Sequence, residues 1–255
     1  MRVVVLLMVS LLSVAPLAAQ RIEVLAWSER SEPADVYPTG VNGAIAGIFA
    51  AQRGVNVTIA NLLDPGQGLS EEALAKADVL VWFGHRNHAD VSDEAVERIV
   101  RHVTERGMGF LPLHSAHASR PFQELMSVKA VEANAPIEGR IGRWAAVRNE
   151  GKPEQIRVLL PDHPIARGVA PFTIPETEMY VNPLNAPAPD AKIFEGSWEG
   201  GEQHGSDGLV WLVGRGKVFY FRPGHETRPI YFQPEVQQII RTAIPWLAKP
   251  NRNGT

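Results

Sequence analysis

The chain has 255 residues, of which 45% are hydrophobic and 21% charged, a composition typical of a globular protein with one large domain or two small ones. Its formal net charge of −3 and the lack of a basic stretch argue against a nucleic-acid partner and against binding to a membrane surface. Because the chain has no cysteine, it forms no disulfide, and any metal ligand has to come from His, Asp or Glu.

The first 19 residues have the pattern of a secretory signal peptide. One basic residue, Arg2, precedes an apolar run from Val3 to Leu17, and the small residues Ala18 and Ala19 follow it. An uncleaved anchor is the alternative, but the run is shorter than the roughly 20 apolar residues of a membrane-spanning helix. We therefore expect export of the mature chain to the periplasm or the medium, with no stable membrane partner after cleavage.

Strands and helices alternate in the first half of the mature chain. The apolar segments 21–27, 55–62 and 77–84 predict three strands, and a helix is predicted from Gly43 to Arg53 between the first two. The third segment is short, apolar and bounded by polar residues, which is typical of a strand that is buried on both faces.

The best-marked helix follows the third strand. Ser92 is a predicted N-cap and Gly107 a predicted stop, and the residues between them form an apolar stripe of Val96, Ile99, Val100 and Val103. A further strand is predicted over residues 109–114. This alternation predicts a parallel sheet with helices on both faces.

The second half is less regular. Residues 134–205 are rich in proline and predict short strands and long loops, whereas segments 208–213 and 217–224 flank a glycine-containing turn and predict a hairpin. The last helix is predicted over 234–248, and Pro245 is expected to kink it or end it early. With no linker long enough to divide the chain, we expect one domain over residues 20–250 and a frayed tail over 251–255.

Polar side chains follow several predicted strands, at the point where each strand ends. They lie in the segments GHRNH, LHSAH, TEMY and RPGHE, and comprise His85, His88, His114, His117, Glu178, Tyr180, Arg222, His225 and Glu226. In open parallel sheets ligands bind beyond the carboxyl ends of the strands. The sequence therefore predicts a candidate site at this edge, although any one of these histidines alone is equally typical of a hydrogen-bonded core residue.

Ser115 lies in the turn after a buried strand, where many α/β enzymes carry a nucleophile. A nucleophile elbow needs small residues on both sides, and here His114 and His117 are close neighbours and no glycine is present. A serine hydrolase is thus a weaker interpretation that stays open. His102, on the polar face of its helix, and His163, in a turn, are interpreted as structural, and His204 is left undecided.

Several longer blocks resemble the trehalose-utilisation (ThuA-like) family. They are GHRNH, LHSAH, EMYVNP, SWEGGEQ and FYFRPGHE, and the resemblance runs in order over residues 21–248. It implies a fold similar to class I glutamine amidotransferases, which is a flavodoxin-like, doubly wound, mostly parallel sheet in a single domain. The amidotransferases carry a nucleophilic cysteine at the strand-end turn, whereas this chain has His114-Ser115 there, so glutamine hydrolysis is not expected.

The resemblance also implies a substrate class. Members of the family are associated with trehalose and related disaccharides and with 3-keto-glycosides, so we expect a small sugar as substrate, with isomerisation, epimerisation or elimination after proton abstraction beside the ketone. Export puts trehalose itself in doubt as the substrate. No nucleotide cofactor is expected, and a divalent metal such as zinc or manganese would help to stabilise the oxyanion.

The candidate site residues are those at positions that match the family's, together with Ser115, Tyr180 and Trp198, which the residues themselves suggest. The catalytic and metal-binding candidates are His114, His117, Glu178 and His225. The substrate-binding candidates are His85, His88, Ser115, Tyr180, Trp198, Arg222 and Glu226. A non-enzymatic sugar-binding protein remains the other alternative, and homo-oligomer formation is left open.

Overall fold

The computed structural model of the protein describes residues 21–198 and 204–249. The predicted signal peptide (1–19), the predicted frayed tail (251–255) and the side chain of His204 lie outside the described residues. Nine strands form one mixed sheet in the order β2-β1-β3-β4-β9-β8-β7-β5-β6. The strands are β1 (Ile22–Ser28), β2 (Val55–Asn61), β3 (Val79–Phe83), β4 (Gly109–Leu113), β5 (Arg143–Val158), β6 (Phe172–Asn185), β7 (Ala191–Trp198), β8 (His204–Val213) and β9 (Gly216–Phe221).

Five neighbouring strands, in the order β2-β1-β3-β4-β9, are parallel, and we call them the parallel half. This is the 2-1-3-4-5 order of a flavodoxin-like sheet, in which β9 takes the place of the fifth strand. Within the described residues, five α-helices accompany the sheet: α1 (Gly40–Phe49), α2 (Glu71–Lys76), α3 (Asp93–Thr104), α4 (Arg120–Glu132) and α5 (Pro234–Leu247). The predicted doubly wound fold is confirmed.

The sheet separates two hydrophobic cores. All five residues of β3 are buried, and they alternate between the cores: Val79, Val81 and Phe83 in one, Leu80 and Trp82 in the other. Helices α1 and α5 cover the first core, and α2, α3 and α4 cover the second. None of the helices in residues 21–198 and 204–249 has the length and apolar character needed to cross a membrane.

The predicted start of α3 is confirmed, because the side chain of Ser92 accepts a hydrogen bond from the Ala95 N–H at 3.2 Å. The placement of His102 on a polar face is wrong, whereas its interpretation as a structural residue agrees with its contacts. Its side chain is buried, and its Nε2 lies 2.9 Å from Oε1 of Glu71, because α2 contacts this side of α3. His163 lies in a turn as expected, where its Nδ1 accepts from the Ile165 N–H.

The predicted bounds of α1 were wrong. The helix begins at Gly40 rather than Gly43 and ends at Phe49 rather than Arg53. A carboxylate oxygen of Glu32 accepts the Val41 N–H at 2.7 Å and so satisfies a donor in the first turn of the helix. This partner comes from a preceding loop, and no local sequence pattern marks it.

The prediction of short strands and long loops over 134–205 was also wrong. This region contains three long strands, β5, β6 and β7, which with β8 form what we call the antiparallel half. Register shifts in the β5–β6 pairing interrupt the alternation that a sequence pattern would show, and β6 tolerates Pro175 and Pro183 because it is an edge strand. Residues 143–152 of β5 pair with β6 alone and make a two-stranded ribbon.

The expectation for the last helix needs one correction. Helix α5 continues past Pro245 to Leu247, and the Ala248 N–H then donates to the carbonyl of Ile244 at 3.0 Å. Because Pro245 lies in the final turn, its missing N–H costs only one helical hydrogen bond.

Candidate active site at the carboxyl ends of three parallel strands

Three histidines lie at the carboxyl ends of neighbouring parallel strands. His85 follows β3, His114 follows β4 directly, and His225 follows β9. Their ring centroids are 5.0 to 5.8 Å apart. One nitrogen atom of each ring lies within 4.8 Å of the corresponding atoms of the other two, which is close enough for all three to bind one metal ion.

The antiparallel half adds a carboxylate and a phenol from β6. Oε2 of Glu178 lies 3.0 Å from Nε2 of His114 and 4.0 Å from Nε2 of His225. The Tyr180 hydroxyl lies 3.1 Å from the same His114 nitrogen. Both residues belong to the ribbon that β6 forms with β5, and this ribbon brings them to the histidines.

The backbone holds His114 in an unusual conformation. Its φ is 49°, a value that residues other than glycine rarely adopt. The Tyr220 hydroxyl donates to its carbonyl at 2.7 Å, and its own Nδ1–H donates to the carbonyl of Arg222 at 3.0 Å. A Cβ on Gly224 would lie 2.6 Å from that of His114, so only glycine fits opposite it. The unusual residue of this turn is therefore His114 and not Ser115.

The Nδ1 atoms of the three histidines have different partners. Nδ1 of His114 faces the Arg222 carbonyl, whereas Nδ1 of His85 and of His225 lie 3.4 and 3.2 Å from Oε2 of Glu226. Nδ1 of His225 accepts from the Thr227 N–H at 3.1 Å and also lies 2.8 Å from the Thr227 hydroxyl. Where Nδ1 of a neutral ring donates instead, the lone pair is on Nε2.

The pKa values of the site residues favour the binding of a cation. Burial lowers the pKa of His225 to about 4 and also lowers the pKa of His85, so both rings are neutral at pH 7. Burial alone would raise the pKa of Glu178, but the hydrogen bond and the charge of His114 outweigh it and hold this pKa at about 2. Oε2 of Glu178 is buried, and Nε2 of His114 lies 3.0 Å from it. An ionised oxygen of this kind favours a proton or a metal ion beside it.

The contacts of Ser115 do not form a relay for a nucleophile. Its hydroxyl makes a short contact with Nδ1 of His85 and lies 2.9 Å from the Tyr180 hydroxyl. In a Ser-His-acid triad the serine and the carboxylate contact opposite nitrogens of the ring. Here the carboxylate of Glu226 contacts the same Nδ1 of His85, so this geometry does not favour a serine hydrolase.

His117 and His88 lie apart from the group of three histidines. The Nδ1–H of His117 donates to the Gly142 carbonyl at 2.5 Å, and burial lowers its pKa to about 3. His88 follows in the short helical turn after His85. The same loop is held by Glu29, a buried residue just after β1, which accepts the Arg86 and Asn87 N–H groups at 2.7 and 2.9 Å.

Arg222 and Trp198 are enclosed by protein. The Arg222 guanidinium is 0% exposed and contacts two carboxylates and a backbone carbonyl. Trp198 is buried, and its Nε1–H donates to the Thr177 hydroxyl at 2.9 Å. Both residues were expected to contact the substrate, but their side chains are almost completely buried. Glu226 is also buried, and besides the histidines it contacts Arg86 at 3.2 Å.

The sequence interpretation missed Glu29, Glu154, Asp207 and Tyr220. Glu29 directly follows a strand, so the rule that located the histidines would have found it. Tyr220 lies inside an apolar strand and looks like a core residue in the sequence. The other two are acidic residues inside strands, and their partner Arg222 is 68 and 15 residues away.

Comparisons with known proteins agree with the fold and the motifs. A family model described as "ThuA: Trehalose utilisation" matches residues 23–247. A ThuA-like protein from Bacteroides uniformis is 14% identical, with a TM-score of 0.64 and coverage of 93% of this chain and 96% of that chain. A ThuA-like protein from Parabacteroides merdae is 14% identical, with a TM-score of 0.66 and coverage of 92% and 93%.

The likeness extends to part of a larger enzyme. A β-galactosidase from Bacillus circulans is 14% identical with a TM-score of 0.55, and the match covers 92% of this chain but 32% of that one. At such identities these structures show the fold alone. None of the curated proteins matches this chain significantly.

Proposed function

This chain belongs to the trehalose-utilisation (ThuA) family, and from that premise we propose that it is a carbohydrate-processing enzyme that removes a proton beside the ketone of a 3-keto-glycoside or 3-keto-disaccharide. Family membership supports a role connected with carbohydrates. The proposed chemistry rests on the site itself, since a ketone acidifies the neighbouring C–H bonds, and an enzyme that uses them needs a base and a group that stabilises the oxyanion.

One observation carries this proposal: three histidines from neighbouring strand ends bring one ring nitrogen each to within 4.8 Å of the others, with the ionised carboxylate of Glu178 beside them. Histidines that bind metals donate their other ring N–H to a carboxylate or a carbonyl. His114 does so to the Arg222 carbonyl, and Oε2 of Glu226 lies 3.4 and 3.2 Å from Nδ1 of His85 and of His225. The arrangement supports a divalent cation site.

The donor set fits zinc or manganese. His85, His114 and His225 would supply three nitrogens, and both metals accept such ligands. The Glu178 carboxylate lies beside this group, 3.0 Å from Nε2 of His114. His117, which the sequence suggested as a ligand, directs Nδ1 to a backbone carbonyl instead. A bound cation would supply positive charge next to the developing oxyanion.

Two residues of β6 perform the proton chemistry in this proposal. Glu178 is ionised at neutral pH and accepts the proton from the carbon beside the ketone. Tyr180 stays protonated because burial and the charge of Glu178 raise its pKa well above the usual value. Its hydroxyl is therefore a hydrogen-bond donor for the oxygen that becomes negative.

The compartment is part of the proposal. The apolar run after Arg2 supports export to the periplasm or the medium, where the sugars available are varied. N-terminal sequencing of the protein recovered from its native host tests this: a mature start near Gln20 supports export, and an intact Met1 contradicts it.

Deuterium exchange tests the reaction. The purified protein is incubated with a 3-keto-disaccharide in deuterated water, and NMR spectra record the protons beside the ketone. We expect enzyme-dependent exchange at C2 or C4 that is lost in Glu178→Gln and kept in Glu176→Gln, a matched change at an exposed residue of the same strand. Sugar binding without exchange would contradict an enzyme and indicate a binding protein.

A further inference from the structure

Arg222 contacts both sides of the site although its guanidinium is buried. Its backbone carbonyl accepts the Nδ1–H of His114 at 3.0 Å, and its NH1 group donates to the backbone carbonyl of Glu178 at 3.0 Å. One residue thus fixes the tautomer of a histidine after β4 and the position of a carboxylate on β6. The two elements have no direct strand pairing with each other.

Two buried carboxyl groups orient the guanidinium. Nε of Arg222 donates to Oδ1 of Asp207, and NH2 donates to Oε1 of Glu154, both at short distance. All three side chains are 0% exposed. A planar guanidinium with its donors on three sides is fixed in rotation, which a lysine would not be.

We propose that Arg222, held by Asp207 and Glu154, is a positioning residue that fixes the positions of His114 and Glu178 relative to each other. The inference rests on the proposed function of that pair and names the residues that make it work. The three residues do not contact the substrate, and they act through the histidine and the carboxylate alone.

The two carboxyl groups have unequal roles. They meet across Gly196, where an added Cβ would lie 2.1 Å from Oδ2 of Asp207 and 2.2 Å from Oε1 of Glu154. Two carboxylates beside a single guanidinium would leave one buried negative charge uncompensated, which is costly. Burial, together with the charge of Asp207, raises the pKa of Glu154 to about 8 against the opposing effect of Arg222. Glu154 is therefore the protonated member and Asp207 the ionised one.

This asymmetry gives a matched pair of isosteric variants. Glu154→Gln replaces a neutral group by a neutral group and should keep zinc affinity and activity within about 3-fold of the original protein. Asp207→Asn removes the charge that orients Arg222. Because partners of metal ligands typically contribute 10- to 100-fold to affinity, we expect zinc to bind about 10- to 100-fold more weakly. The measurement is competition for Zn²⁺ with a chromophoric chelator, with the melting temperature recorded alongside.

A core variant separates positioning from stability. Ile240→Val, in a buried position of α5, should lower the melting temperature and leave the zinc affinity unchanged. If Asp207→Asn folds and keeps the original affinity, the inference is overturned. If Asp207→Asn does not fold, Arg222→Lys takes its place, since lysine keeps a charge near Asp207 but cannot reach both carboxyl groups and the Glu178 carbonyl. Original affinity in Arg222→Lys overturns the inference equally.

Metal binding by the unaltered protein tests the proposed function separately from the inference. If it binds neither zinc nor manganese, the metal part of the proposed function fails. The inference is then judged by ¹⁵N chemical shifts of the His114 ring in the metal-free protein. A protonated Nδ1 that becomes a mixture of tautomers in Asp207→Asn, but not in Glu154→Gln, supports positioning by Arg222, and identical spectra overturn it.

Discussion

The parallel and antiparallel halves of the sheet contribute different groups to the candidate site. The parallel half supplies three histidines at strand ends, in an arrangement that follows from parallel pairing. The antiparallel half, which lies between β4 and β9 in the chain, supplies Glu178 and Tyr180 from β6 and the carboxyl groups that hold Arg222. A common scaffold thus provides the nitrogen ligands, and the inserted strands provide the carboxyl groups. Changes in either half should therefore have separable effects.

The largest effect is expected from the parallel half. In His114→Ala the site loses a central ligand and the partner of Glu178 and Tyr180. We expect metal content to fall below a tenth of the original and activity on a 3-keto-disaccharide to fall on the order of 10⁴-fold. Elemental analysis and turnover measurements check this. His163→Asn, which keeps an acceptor for the turn that His163 caps, is the control and should change neither quantity.

The matching change in the antiparallel half should separate chemistry from folding. Glu178→Gln keeps the shape of the side chain and removes its charge, so activity should fall on the order of 10²- to 10³-fold while three histidine ligands remain. Metal should still bind, but more weakly. Full activity in this variant would assign the base to another group, such as a histidine.

A smaller effect is expected at Ser115, which joins the two halves through its contacts with His85 and Tyr180. Ser115→Ala should lower activity by less than about 10-fold, because the hydroxyl orients its neighbours and forms no covalent intermediate. A serine hydrolase would instead lose on the order of 10⁶-fold and would be inactivated by an organophosphonate reagent. That pair of results would restore the hydrolase interpretation.

The smallest effect concerns stability and pH. Burial lowers the folded-state pKa of His117 to about 3, so the unfolded chain takes up this proton first as the pH falls. The stability associated with neutral His117 is complete above pH 6.5 and is lost towards pH 3. The asparagine in His117→Asn does not titrate. Below pH 5 the free energy of unfolding of this variant should therefore fall by about 2 kcal/mol less than that of the original protein. The measurement is chemical denaturation at a series of pH values. The same fall in the free energy of unfolding with pH in both proteins would contradict this.

The parallel half could be predicted from the sequence because its signals are local. Buried strands such as β3 are short apolar runs, Ser92 has the pattern of an N-cap, and His85, His114 and His225 each follow a strand. Parallel strands end at one edge of a sheet, so the proximity of the histidines follows from their positions.

The antiparallel half could not be predicted in the same way. Register shifts hide the alternation of β5 and β6, and nothing in the sequence brings residues of the edge strand β6 to the histidine that follows β4. Glu178 was identified from the TEMY segment and from the resemblance, but neither showed which histidines it contacts. The role of Arg222 was mistaken because a charged residue at the end of an apolar strand has the same sequence pattern whether it faces a ligand or buried carboxyl groups.

The metal content of the purified mature protein tests the central claim most directly. Elemental analysis, combined with removal by a chelator and readdition during a 3-keto-disaccharide assay, should find about one zinc or manganese ion per chain, lost and regained together with activity. A protein that takes up no divalent metal and is equally active with chelator would contradict the account, and would leave the three histidines as groups that transfer protons or bind the sugar.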